Sequence, residues 1–356
     1  KKCISQLETK DEIDCIEESP ELTLVPKPLK LVIAILANPE PINGGEQNVR
    51  KQGLINSTNV DWLNDTAHKD TILQEIKKNL KKTRVNEKFR KNLKIETEFV
   101  PLFHWQSDSQ IEEVLNNVNG ILYTGGNRHA NFNHTWEKFM LKVSKKILDR
   151  QEKGQPIPLF GICQGFELFH ALLVNSTKIF TDYDAWIEMM PTEFVKEEKL
   201  IDKKRSIFNF LNDTEKNFLA KNNTLTHYHF LGILPEEYKK YEILRKVFQV
   251  LSYGYDRKVK KFVDTIESLS PYNIFGVQFH PEKDPITITG NTELEKEKFL
   301  NEYRSIMSKI SINFFIKAIE DELMMNKNNN EKELNKYIEK IKIKRNDRNY
   351  SLHEEK

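Results

Sequence analysis

Apolar and polar positions along this chain follow two alternating rhythms. The run Leu29–Leu36 (LKLVIAIL) is almost continuously apolar and rich in branched side chains, which predicts a strand buried on both faces of a sheet. Residues 95–102 alternate, with Pro101 near their end, and predict a second strand; Gly120–Tyr123 is a short third that runs into Thr124-Gly125-Gly126. Between these strands the spacing turns helical. Ile72, Ile76 and Leu80 mark one face of a basic amphipathic helix over 70–90, and helices are also expected over 111–118 and 136–151. The polar stretch 38–59, with its prolines and paired glycines, reads as loop.

The same alternation continues downstream. A short apolar run over 157–162 predicts a central strand, and Glu167, Leu168, Leu172 and Leu173 follow it at helical spacing. The middle of the chain is more mixed, with 193–195, a helix near 214–220 and the segment 225–234. Two further strands are expected over 262–269 and 272–279. A single long helix is expected over 294–325, with Phe299, Tyr303, Ile306, Ile310, Phe314 and Phe315 as its apolar stripe. Strands alternating with helices predict an α/β fold: an open, mostly parallel sheet with helices on both faces and ligands bound at the carboxyl ends of the strands. That domain covers 29–325, between an irregular N-terminal arm (1–28) and a charged, helical or frayed tail (326–356).

Composition narrows the function classes. A chain of 356 residues with 38% hydrophobic and 30% charged residues can bury a sizeable core under a charged surface. A formal charge of +2, with basic and acidic residues interleaved, gives no reason to expect nucleic acid. No apolar run approaches the ~20 residues of a membrane-spanning helix. The first residue is Lys1, so a leader has been removed or the chain begins part-way along. Acceptor triplets for N-glycosylation begin at Asn56, Asn64, Asn133, Asn175, Asn212, Asn222 and Asn349, and their number favours the secretory pathway. Cys3 and Cys15 can close a small disulfide loop, which leaves Cys163 as the odd thiol.

Cys163 stands in the segment Gly161-Ile162-Cys163-Gln164-Gly165, at the junction of the central strand and the helix after it. A strand that turns sharply into a helix needs small residues on both sides, and it thrusts the middle side chain out at the end of the sheet. A helix N-terminus there favours the thiolate, the reactive form. A lone cysteine is more often a small core residue, so the chemical reading draws its force from partners elsewhere. They come in Tyr272–Asp284 (YNIFGVQFHPEKD), where a strand is expected to end at His280, with Glu282 two residues on. In an extended chain those two side chains share a side, so the carboxylate can fix the imidazole tautomer and leave its other nitrogen as a base.

Residues 161–167 (GICQGFE) and 276–283 (GVQFHPEK) resemble the two signatures of the class I glutamine amidotransferase-like family and, within it, those of the gamma-glutamyl hydrolases. Residues 119–126 (NGILYTGG) resemble the family's oxyanion loop. Residues 229–235 resemble its strand bearing a substrate-site histidine, carried to His229 rather than His227. The chain departs from the pattern at Ala37-Asn38-Pro39, at Asn127-Arg128 and at Gln164, and its first crossover (43–94) is long. The resemblance implies a flavodoxin-like fold and cleavage of gamma-glutamyl amide bonds, above all those of folate poly-gamma-glutamates. Cys163 would be the nucleophile, His280 the base and Glu282 its orienting carboxylate. Gly125, Gly126 and Gln164 would form the oxyanion site, His229 would contact substrate, and Glu167 would brace the elbow. It implies no cofactor and no metal, a small gamma-glutamyl compound as partner with a homodimer left open, and a lysosomal, vacuolar or extracellular location. A glutaminase feeding ammonia to a synthase, and a non-catalytic binding protein, are the competing readings.

Overall fold

In the computed structural model, which describes residues 28–39, 52–80, 87–126, 135–155, 157–325, 341–345 and 349–354, the run Leu29–Leu36 is the second strand in from one edge of an eight-stranded sheet. The strands in chain order are β1 (Leu29–Leu36), β2 (Asn38–Pro39), β3 (Gln52–Asn56), β4 (Ile95–Leu102), β5 (Gly120–Tyr123), β6 (Leu159–Ile162), β7 (Phe180–Met190), β8 (Glu193–Phe194), β9 (Leu225–Ile233), β10 (Phe248–Tyr255), β11 (Lys261–Ser268), β12 (Ile274–Val277), β13 (Ile341–Arg345) and β14 (Asn349–Glu354). The large sheet runs β4-β1-β5-β6-β12-β11-β10-β8. It is parallel from β4 to β12 and antiparallel from β12 to β8. This is the expected α/β architecture, with an antiparallel extension on one side.

Both faces are covered, as the unbroken apolar run in β1 requires. Leu31, Ile33 and Ile35 pack with Trp62, Ile72, Ile76, Phe314 and Phe315 on one face. Val32, Ala34 and Leu36 point the other way, to Val114, Trp136, Phe166 and Phe169. The chain leaves β1 for β4 on one side and then crosses to β5 on the other. The order therefore reverses between β1 and β5, and Asn38 and Gly125 lie at their carboxyl ends, the place where such sheets bind ligands.

Four expectations need correction. The segment 38–59 contains β2, β3 and the start of a helix, Ser57–His68. That helix has few apolar residues to announce it. Asn56 caps it through a bond from Thr58 N, and Trp62 anchors it by donating Nε1–H to the Met307 carbonyl (3.1 Å). The helix expected over 70–90 is Asp70–Asn79, with a separate Glu87–Asn92. The single helix over 294–325 is two, Glu293–Ile310 and Ile312–Met325, broken at Ser311. Ser311 has ψ 1° and donates its hydroxyl to the Ser308 carbonyl (3.0 Å). Beyond 340 the tail carries strands, not a helix. β14 pairs with both β13 and β3 in a separate four-stranded sheet with β2, so partners distant in sequence decide its conformation. The arm 1–27, Cys3 and Cys15 lie outside the described residues.

The core also buries titratable groups, and they set a pH dependence. Burial raises the carboxyls of Glu167 and Asp264 to about 7 and that of Glu267 to about 8. Burial also lowers the imidazoles of His170 to about 4 and His229 to about 3, and pushes His227 well down. A raised carboxyl favours the fold at low pH, and that contribution is lost as pH climbs through its folded value. A depressed imidazole acts oppositely below about 6.5, where the unfolded chain takes up protons that the fold refuses. The two sets offset one another between about pH 4 and 6.5, and the carboxyls act alone above that. Thermal unfolding should therefore be nearly level from pH 5.5 to 6.5. From 6.5 to 8 the fold should lose on the order of 3 kcal/mol. Melting scans across that range check it; a midpoint that rises toward pH 8 would contradict this account of the buried carboxyls.

Candidate active site

β6 ends at Ile162, and the helix Gln164–Val174 begins one residue later. Cys163 makes the whole turn between them with φ 51° and ψ −109°, a conformation that costs a residue with a side chain of order 1–3 kcal/mol. The flanking glycines are dictated by contact. A Cβ on Gly161 would fall 2.4 Å from the Phe169 ring, and one on Gly165 would fall 2.7 Å from the Tyr123 carbonyl oxygen. Helix and sheet thus close on each other through the two positions that lack a side chain. The turn is pinned by Cys163 N–H to the Val277 carbonyl (2.8 Å) on β12 and by Glu167 N–H to the Cys163 carbonyl (2.9 Å).

The second half of the site follows β12. The strand ends at Val277, earlier than expected, and His280 and Glu282 sit in the turn beyond it rather than on extended chain. They still meet: His280 Nδ1 lies 2.7 Å from Glu282 Oε1, with the carboxylate side chain 2% exposed. The turn is held by His280 N–H to the Thr226 carbonyl (2.9 Å) on β9 and by the Tyr303 hydroxyl to the Lys283 carbonyl (3.1 Å). An Arg304–Asp284 fork at 2.8 and 2.5 Å closes it. Burial alone would push the Glu282 carboxyl up, but the charge and hydrogen bond of the His280 ring outweigh it and hold the group below its ordinary range. His280 Nε2 is buried and makes no hydrogen bond among the described residues.

Gly125 joins the two halves. A Cβ there would lie 2.7 Å from His280 Cε1, 3.6 Å from His280 Nε2 and 3.4 Å from Cys163 Cβ, so the imidazole, the thiol and the loop after β5 converge on it. Gly126 lies against the Gln164 side chain, 1.8 Å from its Oε1 if a Cβ were added, and the Gln164 N–H is directed at the Cys163 sulfur. Gly125, Gly126, Cys163, Gln164, His280 and Glu282 are therefore one cluster. Asn38 has a part that its appearance as a departure concealed. From β2, two residues past the end of β1, it donates Nδ2–H to the Gly125 carbonyl (2.8 Å) and to Thr124 Oγ1 (3.2 Å), fixing the glycine loop.

One expectation changes here. The Cys163 thiol is 3% exposed, and burial, followed by the Glu167 carboxylate, pushes its pKa well above the usual thiol range. The helix N-terminus does not make it a standing thiolate; its proton has to be taken by a base. His229, expected to contact substrate, is turned into the fold. It lies on β9, 3% exposed, with Nδ1 2.7 Å from the Leu231 carbonyl and Nε2 3.2 Å from His227 Nδ1. His227 Nε2 is in turn 3.9 Å from Asp264 Oδ1. Glu167 does brace the elbow: it accepts from Gln278 Nε2 (2.9 Å), which also lies 3.9 Å from the Cys163 sulfur. Tyr228 escaped sequence reasoning, although its carbonyl is 3.9 Å from the sulfur and its ring 5.6 Å from that of His280. Its signal was the alternation in Thr226-His227-Tyr228-His229-Phe230. Among the described residues no group of His, Cys, Asp and Glu side chains is placed to hold a metal ion.

The family sequence model for glutamine amidotransferase class-I matches residues 67–300, well over half of the chain. The chain belongs to the class I glutamine amidotransferase family. Within that family its curated relatives carry one name. It is 29% identical over 189 residues to gamma-glutamyl hydrolase B of Dictyostelium discoideum, covering 52% of each chain. It is 28% identical over 187 residues to the gamma-glutamyl hydrolase of Rattus norvegicus (52% of this chain, 56% of the relative). It is 26% identical over 185 residues to gamma-glutamyl hydrolase 1 of Arabidopsis thaliana (52% and 51%). The chain thus spans about half the length of the curated relatives it matches. For a class I amidotransferase domain, the cluster at the end of β5, β6 and β12 sits where ligands of such sheets bind.

Proposed function

We propose that this chain hydrolyses gamma-glutamyl amide bonds through a glutamyl thioester, with the poly-gamma-glutamate chains of folates as substrate. The observation that carries the reading is the convergence of the Cys163 elbow and the His280–Glu282 pair on Gly125. The shared name of the relatives supports it. His280 Nε2 takes the thiol proton as sulfur attacks the gamma-carbonyl carbon, and Glu282 holds the ring in the tautomer that leaves Nε2 free. The oxyanion is received by the N–H groups of Gly126 and Gln164. Collapse breaks the C–N bond, and His280 returns its proton to the leaving amine. Water, deprotonated by the same nitrogen, then adds to the thioester, releasing the acid and restoring the thiol. Because burial pushes the Cys163 thiol up, the mechanism needs His280 to take its proton rather than a standing thiolate. His229 contributes by shaping the wall behind the site, both of its nitrogens being engaged within the protein.

Incubating the chain with a folate polyglutamate ladder and separating the products tests this directly. Shortening of the ladder with release of glutamate or its oligomers is expected. Release of ammonia from free glutamine without it would favour the glutaminase reading, and neither binding nor cleavage would favour the non-catalytic one.

We also infer passage through the secretory pathway to a lysosome, vacuole or the outside. Among the described residues no helix is long and apolar enough to cross a membrane. Asn64, Asn175, Asn212 and Asn222 are exposed. The Asn212 side chain caps a helix through Oδ1 (2.9 Å from Glu215 N), which leaves its Nδ2 open to a glycan. Enzymatic deglycosylation of protein from its natural source should lower its mass, with Asn212 among the occupied sites; an unchanged mass would place the chain elsewhere.

A further inference from the structure

The strand pair β7–β9 stands beside the thiol and presents two different faces. Strand alternation turns His227 and His229 inward, where both are buried, and turns Tyr228 and Phe230 outward. Trp186 on β7 is the register partner of Tyr228 and meets both outward rings. It lies 5.8 Å from Tyr228, edge to face at 84°, and 4.9 Å from Phe230, stacked at 10°. Phe230 is 52% exposed. The first ring of this row abuts the site: Tyr228 is 5.6 Å from the His280 ring, and Lys283 Nζ lies 4.0 Å over its face.

The placement of Trp186 is built. The β7–β9 register shifts between Trp186 and Glu188, and the residue at the shift, Ile187, has φ 54° and is 50% exposed. A branched side chain is rarely found at positive φ, and a bulge is a common way of re-aiming a neighbour beside an active site. Arg257 holds the bulge open. It donates Nη2–H to the carbonyls of Trp186 (2.8 Å) and Ile187 (3.0 Å) while pairing with Asp184 and Glu188. Two carboxylates and two carbonyls are thus committed to one strained turn whose visible product is a pair of parallel rings, Phe230 exposed and Trp186 half-buried.

We propose that Tyr228, Trp186 and Phe230 form a stacking platform that binds a planar aromatic group on the amino side of the scissile gamma-glutamyl residue. It is the specificity-determining element of the site. A planar group laid on the exposed Phe230 ring extends its stack with Trp186 at offset-stacked separation. A row of three rings is too small for a protein partner, which needs roughly 1,000 Å² of contact. Its continuity with His280 makes the substrate itself the occupant. The proposal rests on the reading of Cys163 as a gamma-glutamyl hydrolase nucleophile.

The test uses the full chain and two substrates that differ only in the group on the first glutamate: 4-aminobenzoyl-gamma-glutamylglutamate and N-acetyl-gamma-glutamylglutamate. The wild type should cleave the aryl compound with a kcat/KM about tenfold higher, and Phe230→Leu, which keeps apolar bulk without a π face, should remove most of that preference through KM. Phe230→Tyr should retain it. Equal loss on both substrates, or no preference in the wild type, overturns the platform. If neither compound is cleaved, the hydrolase reading fails, and the platform is read by calorimetric binding of the same two compounds to the Cys163→Ala chain. A preference for the aryl compound that Phe230→Leu abolishes supports it there, and equal affinities overturn it.

Discussion

Replacing Cys163 by alanine should abolish turnover of a gamma-glutamyl amide, by roughly 10⁶-fold in kcat, while substrate still binds. The variant removes the atom that forms the thioester in the proposed mechanism, and nothing else in the cluster can replace it. Gln164 N–H and the loop of Gly125 and Gly126 keep their places, because the turn is pinned through the backbone to β12 and the glycines are set by Asn38. Alanine loses only the sulfur, in a site where the side chain is already 3% exposed, so a small cavity is the whole structural cost. Adding His280→Ala to the Cys163→Ala chain should change turnover little further, since a base without a nucleophile has no proton to move. Equilibrium binding and single-turnover assays on the same protein separate the two losses. Residual cleavage within a hundredfold of wild type would show that another group, or a directly activated water, does the chemistry.

What the chain disclosed in advance follows from which interactions are local. β1 was legible because a strand buried on both faces must be apolar at every position, and the elbow because Gly161 and Gly165 answer contacts only a few residues or one strand away. The helix Ser57–His68 was not, since its hold on the fold comes from Trp62 and the distant Met307 carbonyl rather than from a long apolar stripe. β7 was hidden for a related reason: its bulge at Ile187 interrupts the alternation that would have marked a strand, and the Arg257 that stabilises it lies far along the sequence. Asn38 looked like a departure from pattern because its target, the Gly125 carbonyl, is 87 residues on. The thiol shows the sharpest gap. A helix N-terminus can be read from spacing, but the burial and the Glu167 carboxylate that outweigh it are properties of the packed fold. His227 and His229 make the same point, two polar side chains turned inward on a strand whose aromatic ones face out.

The second large effect is expected from Glu282→Gln, and this substitution isolates proton handling better than His280→Ala does. Removing the imidazole would leave the Glu282 carboxylate buried at 2% exposure without its partner, a loss of fold of about 3–5 kcal/mol that would confound any rate. Glutamine keeps the shape. Its amide can turn to donate to Nδ1, which forces the ring proton onto Nε2, the nitrogen that has to accept from Cys163; a drop of about 10²–10⁴ in kcat/KM is expected, with KM little changed. The pH profile then gives the decisive signature. In the wild type the charge and hydrogen bond of the His280 ring hold the Glu282 carboxyl below its ordinary range, so the carboxylate that fixes the ring tautomer is already ionised at neutral pH. In the glutamine variant the imidazole no longer accepts, and turnover depends on whatever thiolate forms unaided. Burial raises that thiol well above 9.0, so the residual rate should climb with pH through the alkaline range, where the wild-type rate does not follow it. A variant whose profile keeps the wild-type shape at reduced height would mean that Glu282 supports the turn and leaves the proton on His280 to other groups.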